Sequence, residues 1–467
     1  MSETSAPIQT DTPGSDFPAR LAGVDTWLQR EAAFWLKKAG DEQGLLAEAR
    51  ADGWQLKQWG KSVFGQVGNG PGRLLVYLPP GRASAVNLAA LMAATQSWQT
   101  TGDLPLTLKF LYGPVEEALL AGHSEDLAAD AIIYVRGDYR RGRPLVSLGV
   151  KGLLEVELRV KTMSKDAPSA YSEVMPGASW LLVQAITALK SESLEVQIED
   201  FEEGLSPLPF EESQALRKAL PDFKPELAQR LRDYGLNEYI FNLNDWLVLQ
   251  TQYMVPTVNV SALECGSFDT SGRLKLPATA RARLDFLLVP YQDPAQVFEK
   301  LRQHLLTREF GPQLEIIQLP GAFRPSHTPL TARFVQDVLA AGEAIGAPPL
   351  VAPIGLFSGP LAALKEAAGN PPALCFGLGR SRVSRADFTT QARWLAHLFP
   401  LVLSGDAAMF EIYPDRPAPA AKKLTEPPDT PDLTDLSQLI PDFPELDLPD
   451  EPFGSLTENE SGNSGQS

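Results

Sequence analysis

Short apolar runs stand at Leu74, Leu75, Val76, Tyr77 and Leu78, at 131–135, and at 373–376. Runs of this length predict strands buried on both faces, as in a parallel sheet covered by helices. Helical periodicity precedes and separates them, over 25–38 and 83–95. The middle of the chain alternates instead. Leu154, Val156, Leu158 and Val160 interleave with Glu155, Glu157, Arg159 and Lys161. Val258, Val260 and Ala262 do the same with Thr257, Asn259 and Ser261, as do Ala282, Leu284, Phe286 and Leu288 with Arg281, Arg283 and Asp285. Period-two patterning predicts a sheet with one wet face. Two amphipathic stretches accompany it, 178–190 with Leu182, Ala185, Ile186 and Leu189 on one stripe, and 293–307 with Val297, Leu301 and Leu305 on another.

The expected fold class is therefore α/β, with an α+β domain inserted into it. The α/β pattern resumes near 321, where Ser384 and Asp387 predict a capping box for a helix carrying Phe388, Ala392 and Leu395. The boundaries read as a polar leader over 1–18, a first α/β part over 19–148, the insert over 149–320, a second α/β part over 321–413 and a tail over 414–467. The stretch 192–254 falls inside the insert, with a polar helix from about 212 to 234.

Composition sharpens this picture. The formal charge of the 467-residue chain is -17, which speaks against nucleic acid or an anionic membrane as partner. The tail carries twelve acidic residues against three basic ones, with ten prolines. Such a segment buries too little to offset its ordering entropy, so a disordered acidic tail is expected. Its Leu433, Leu436, Leu439, Ile440, Phe443, Leu446, Leu448 and Phe453 alternate with acids, a pattern that suits docking to a protein partner as well as plain solubility. Cys265 and Cys375 are too few for a disulfide scaffold or a thiolate zinc cluster and read as structural thiols. No signal peptide and no membrane span are visible, which points to the cytoplasm.

Four segments, in order, carry a resemblance. Pro256-Thr257-Val258-Asn259-Val260 with Leu288-Val289-Pro290-Tyr291-Gln292-Asp293-Pro294 is similar to "PTLNV…RLVPGQDP". Gly149-Val150-Lys151-Gly152 is similar to "GLRG", and 106–117 to "VNLKFLFEGEEE". Together they resemble the co-catalytic zinc metallopeptidase family of carnosine dipeptidases, aminoacylases and succinyl-diaminopimelate desuccinylases, most of all its dipeptidase branch. The resemblance implies a catalytic α/β domain, a lid through which members dimerise as homodimers, and a zinc pair that activates a bridging water.

It also implies five metal-ligand positions, a general base and a lid histidine, and this chain departs from most of them. The histidine of "LLVYGHYD" is Pro79 and its supporting aspartate is Gly81; the bridging aspartate region is Ala85 and Val86. Glu116 and Glu117 keep the glutamate pair, as vestigial general base and as the only retained ligand position. The next aspartate is Arg136, with Asp138 two residues on. The lid histidine is Pro168, the last ligand histidine is missing from 379–385, and the substrate arginine is Leu287. The four histidines stand elsewhere. His123 reads as a loop residue, His304 as an exposed helical one and His397 as a packed or surface helical one, while His327 has no assigned role.

Two functions follow. One is a catalytically degenerate metallopeptidase-like protein, a pseudoenzyme with a binding, scaffold or assembly role and no metal cofactor. Arg136, Arg380 and Arg382, with Arg385 beside them, would then form an anion site. The alternative is a metal-dependent dipeptidase or amidohydrolase acting on small peptides or N-acyl amino acids, holding zinc or another divalent metal through Glu116, Glu117, Asp138 and His123.

Overall fold

The computed structural model describes residues 17–402 apart from 138, 141, 204, 206–207, 270–272, 309 and 380–382. The leader up to residue 16 and the acidic tail lie outside the described residues. The apolar runs become the centre of a mixed sheet ordered Gln55–Trp59, Ser62–Val67, Leu106–Tyr112, Gly72–Leu78, Ala131–Tyr134, Ala373–Cys375, Arg143–Ser147 and Leu350–Ala352. The strands from Leu106–Tyr112 to Ala373–Cys375 run parallel. Continuous hydrophobicity is needed because both faces are covered. Leu74, Val76 and Leu78 face one core, with helices Phe17–Lys38, Arg82–Thr101, Arg333–Ala344 and Arg385–Leu398. Leu75 and Tyr77 face the other, with helices Glu117–Gly122 and Leu361–Ala367.

Helix Arg82–Thr101 is buried at nearly every position from Ser84 to Trp98. Its Ala89, Ala90, Ala93 and Ala94 cost little side-chain entropy and admit close neighbours. Helix Arg385–Leu398 packs across it, and Trp98 Nε1 donates to Ala396 O at 2.9 Å. The predicted cap is present: Ser384 Oγ accepts from Asp387 N at 3.0 Å.

The alternating segments form a second, antiparallel sheet ordered Thr257–Cys265, Thr279–Leu288, Gly149–Lys161 and Leu314–Gln318. Leu154, Val156, Leu158 and Val160 pair in register with Phe286, Leu284, Ala282 and Ala280. These residues share one core with helices Ala178–Thr187 and Pro294–Leu306. The alternation holds less well on the outer strand, Thr257–Cys265. A register shift between Val260 and Ala262 turns the chain, so Val258 is buried but Val260 and Leu263 are exposed.

The segment 192–254, expected inside the insert, packs in part on the α/β body. Helix Phe210–Asp233 carries Leu216, Ala219, Phe223 and Leu227 on one stripe. That stripe packs with helix Asp245–Met254 against Leu145, Leu350, Ala352 and Ile354, so it covers the far edge of the first sheet.

Strand Gly149–Lys161 runs from the α/β body into the lid. Its first residues pair with Ser326–His327 and Gly355–Ser358 of the α/β body, and the remainder is central to the lid. At this seam Lys151 is 2% exposed and donates from Nζ to Val255 O at 3.0 Å. Burial brings its ammonium down from the ordinary 10.5 to about 8. The unfolded chain then holds the proton more tightly, so this group's contribution to stability rises between about pH 8 and 10.5 and is least favourable below that window. Lys151→Met should stabilise the fold at pH 7 by about 2 kcal/mol, the ~3 from the shift less ~1 for the lost bond to Val255. The advantage over the parent should vanish towards pH 10.5. Urea unfolding across this range checks it, and a constant difference between variant and parent would contradict it.

Candidate functional site

In covered parallel sheets, ligands bind beyond the carboxyl ends of the strands. Four loops emerge there, after Leu78, Tyr112, Tyr134 and Cys375. The first passes Pro79 and reaches Gly81, whose φ of 138° suits glycine and which precedes helix Arg82–Thr101 directly. The positions compared above with a bridging aspartate, Ala85 and Val86, are buried apolar residues of that helix.

Next to them Asn87 is 3% exposed and ties the first turn of that helix to the loop after Cys375. Its Nδ2 donates to Ala83 O and Leu378 O, both at 2.8 Å, and its Oδ1 accepts from Leu378 N at 2.8 Å. Both backbone groups of Leu378 are thereby satisfied by one side chain. Beside it, a Cβ on Gly137 would fall 2.4 Å from Gly377 N, so the loops after Tyr134 and Cys375 touch backbone to backbone.

Glu116 and Glu117 lie at the start of helix Glu117–Gly122, and both side chains are exposed. The nearby charge of Glu117 helps raise the Arg324 guanidinium above its ordinary value, after the larger effect of the hydrogen bond to Glu366. Arg324 and Glu366 form an ion pair at 2.5 Å.

Arg136 lies on the exposed side of the next loop, its guanidinium 5.2 Å from the centre of the Phe357 ring. Tyr134 and Tyr77 rings are 5.1 Å apart, and burial pushes both phenols up. Among the described residues Arg136 has no carboxylate partner, whereas Arg73, Arg143, Arg324 and Arg393 pair with Asp130, Asp222, Glu366 and Asp25. Arg380, Arg382 and Asp138 lie outside the described residues. Arg385 donates to Gln29 O at 2.7 Å and so is engaged by the N-terminal helix.

The histidines are dispersed, and one of the four, His304, differs from expectation. His123 stacks on Trp59 with centroids 3.9 Å apart, and Trp59 in turn stacks on Phe64. His304 is buried, not exposed, with Nε2 2.8 Å from Ala188 O, because its stretch of Pro294–Leu306 faces the lid's first helix. His327 Nε2 lies 3.0 Å from Glu212 Oε2, tying the inserted helix to the body. His397 is packed, as a helical histidine can be, with Nε2 3.1 Å from Asp25 Oδ1. Burial alone would raise the Asp25 carboxyl, but hydrogen bonds from Arg393 and His397 hold it well below the usual range.

Cys375 is fully buried, its Sγ 3.7 Å from Gly149 O, and burial pushes the thiol up; Cys265 is half-buried. Among the described residues, no three of His, Cys, Asp or Glu converge as a metal site would require. The described donors therefore do not fit a zinc pair, and no chemistry is routed through one.

The Glu212–His327 contact escaped sequence reasoning because its partners are 115 residues apart. The only local signal was Glu212 in the first turn of a helix, where a carboxylate is favoured anyway. The pairing of Arg136 with Phe357 left no local signal at all.

Residues 148–310 match the family described as the peptidase dimerisation domain. No curated protein matches the chain. Among solved structures, an M20 family metallo-carboxypeptidase, Sso-CP2 from Sulfolobus solfataricus, is 25% identical with a TM-score of 0.66, covering 75% of this chain and 91% of its own. The di-peptidase Dug1p from Saccharomyces cerevisiae is 14% identical with a TM-score of 0.62, covering 83% and 98%. Human carnosine dipeptidase 1 is 14% identical with a TM-score of 0.60, covering 82% and 99%. The last two show likeness of fold.

Removing the Asn87 amide leaves the buried N–H and C=O of Leu378 unpaired. Asn87→Ala should cost about 2–4 kcal/mol in urea unfolding and speed hydrogen exchange at the Leu378 amide. Unchanged protection at Leu378 would show that another partner holds the loop.

Proposed function

We propose that this chain, which carries the M20 peptidase fold and its peptidase dimerisation domain, is a catalytically degenerate member of that fold. It acts by binding or scaffolding rather than by hydrolysis. The observation that carries this reading is the sheet's carboxyl end. An arginine stands where the resemblance places an acidic ligand, and an asparagine clamp and touching glycines occupy the mouth. Arg136, set against the Phe357 ring without a carboxylate partner among the described residues, is the anchor of the anion site to which Arg380 and Arg382 are assigned. The acidic tail offers a segment for a protein partner.

A hydrolase remains the second reading, favoured by the 25% identity to a metallo-carboxypeptidase over three-quarters of the chain. In that reading Glu116 takes a proton and Glu117 holds metal, with His123 and Asp138 as further donors. The geometry supports it less. The His123 ring is stacked on Trp59, and Glu117 neighbours Arg324.

Protein purified without chelators should contain far less than one zinc, manganese or cobalt per chain by elemental analysis. It should leave dipeptides and N-acyl amino acids intact. Two metals per chain, or a hydrolysis that Glu116→Gln abolishes, would replace the first reading with the second.

We also infer a homodimer formed through the lid. The outer strand Thr257–Cys265 leaves Val260 and Leu263 exposed, and Trp180 on the lid's first helix is 68% exposed, an uncovered set of large apolar residues in a domain of this family. Sedimentation at micromolar concentration should give a dimer, and Leu263→Arg should shift it to monomer. A parent that sediments as a monomer ends this assignment.

A further inference from the structure

A pocket of about 90 Å³ lies where three separate parts of the chain meet. One water occupies roughly 10–15 Å³ on this measure, so the space admits several waters or a short alkyl chain. Its walls come from Leu208 in the insert, Met254 at the end of helix Asp245–Met254, Val289 on the return from the lid, and Ile354 beside the first sheet. The ionisable side chains Glu212 and His327 line it together with the phenols of Tyr253 and Tyr291.

Glu212 is 1% exposed. Its Oε1 accepts from Leu330 N at 3.1 Å and its Oε2 lies 3.0 Å from His327 Nε2. A carboxylate has about four acceptor sites, so about two remain for a donor brought by a ligand. A buried anionic acceptor selects a donor, and a cationic donor most strongly.

Tyr291 forms part of the rim and supplies a second, independent observation. The turn from Val289 to Gln292 is closed by Gln292 N donating to Val289 O at 3.2 Å, and it holds Tyr291 at φ 76°. A turn of this kind favours glycine at that place, and a bulky residue there is strained. The "PGQDP" text to which this segment is similar has glycine at the same position. Strain of this kind persists where the side chain is used. Tyrosine on the rim adds an aromatic face, which attracts cations.

We infer that this pocket is a binding site for a small primary alkylammonium group, either a free amine or a short amine-bearing side chain. The ammonium donates to Glu212 inside a rim to which the 75% exposed Tyr291 contributes, and the alkyl part lies against Leu208, Met254 and Ile354. Because the walls belong to insert, lid return and body, occupancy draws these three segments together. The assignment does not depend on whether the chain is a pseudoenzyme.

The test is calorimetric titration of the full-length protein with n-butylammonium, n-butanol and butyrate at matched ionic strength, with thermal melting alongside. Butylammonium should bind saturably, butanol much more weakly and butyrate not at all. Glu212→Gln should weaken butylammonium roughly tenfold or more. Tyr291→Gly should raise the melting temperature by relieving the turn and yet weaken butylammonium severalfold, which a purely structural tyrosine would not do. Equal binding of all three probes, no saturable binding, or a Tyr291→Gly variant that melts higher with unchanged affinity would each overturn the assignment. If Glu212→Gln does not fold, the Tyr291→Gly comparison still decides.

Discussion

Both domains hang on the close passage of one strand. Gly149–Lys161 is a strand of the body for its first residues and central to the lid thereafter. Its glycines leave no room for side chains. A Cβ on Gly149 would fall 1.8 Å from Ser326 O, and one on Gly152 would lie 2.8 Å from Phe323 O. Leu153 then exchanges both backbone hydrogen bonds with Phe323, at 2.8 and 2.9 Å. The lid is therefore braced by paired backbone at its root. Lys151 is buried in the same seam, at a cost that its bond to Val255 O only partly offsets.

The same economy governs the sheet's carboxyl end. In a parallel sheet the strand ends present loops that must satisfy their own backbone groups, with a cofactor, with water or with side chains. Here a single asparagine amide serves Leu378, and glycines let the neighbouring loops touch. Arg136 stands on the exposed side, its guanidinium against the Phe357 ring. Glu212 and His327 pair with each other beside a pocket.

Much of the architecture was legible from period alone. Continuous runs such as 74–78 became covered parallel strands, and alternating runs such as 154–160 became a half-wet antiparallel sheet. Departures came where neighbours overrode the local pattern. Val260 keeps its place in the alternation but loses its buried face, because the register shifts beside it on an edge strand. His304 sits among charged residues on its helix and is nevertheless buried, because its position on the helix faces Ala188. The inserted helix Phe210–Asp233 looks polar as a whole, yet its stripe of Leu216, Ala219, Phe223 and Leu227 seals the edge of the other domain.

The amino-acid sequence by itself determined the strand types, the inserted domain, the charge imbalance and the residue identities at the positions that matter for chemistry, because periodicity and identity are local properties. Tertiary structure alone decided which of those residues meet. Asn87 and Leu378 are 291 positions apart, and Glu212 and His327 are 115 apart. No local pattern encodes such a contact, since it depends on the crossing of strands and the space left when their side chains have packed.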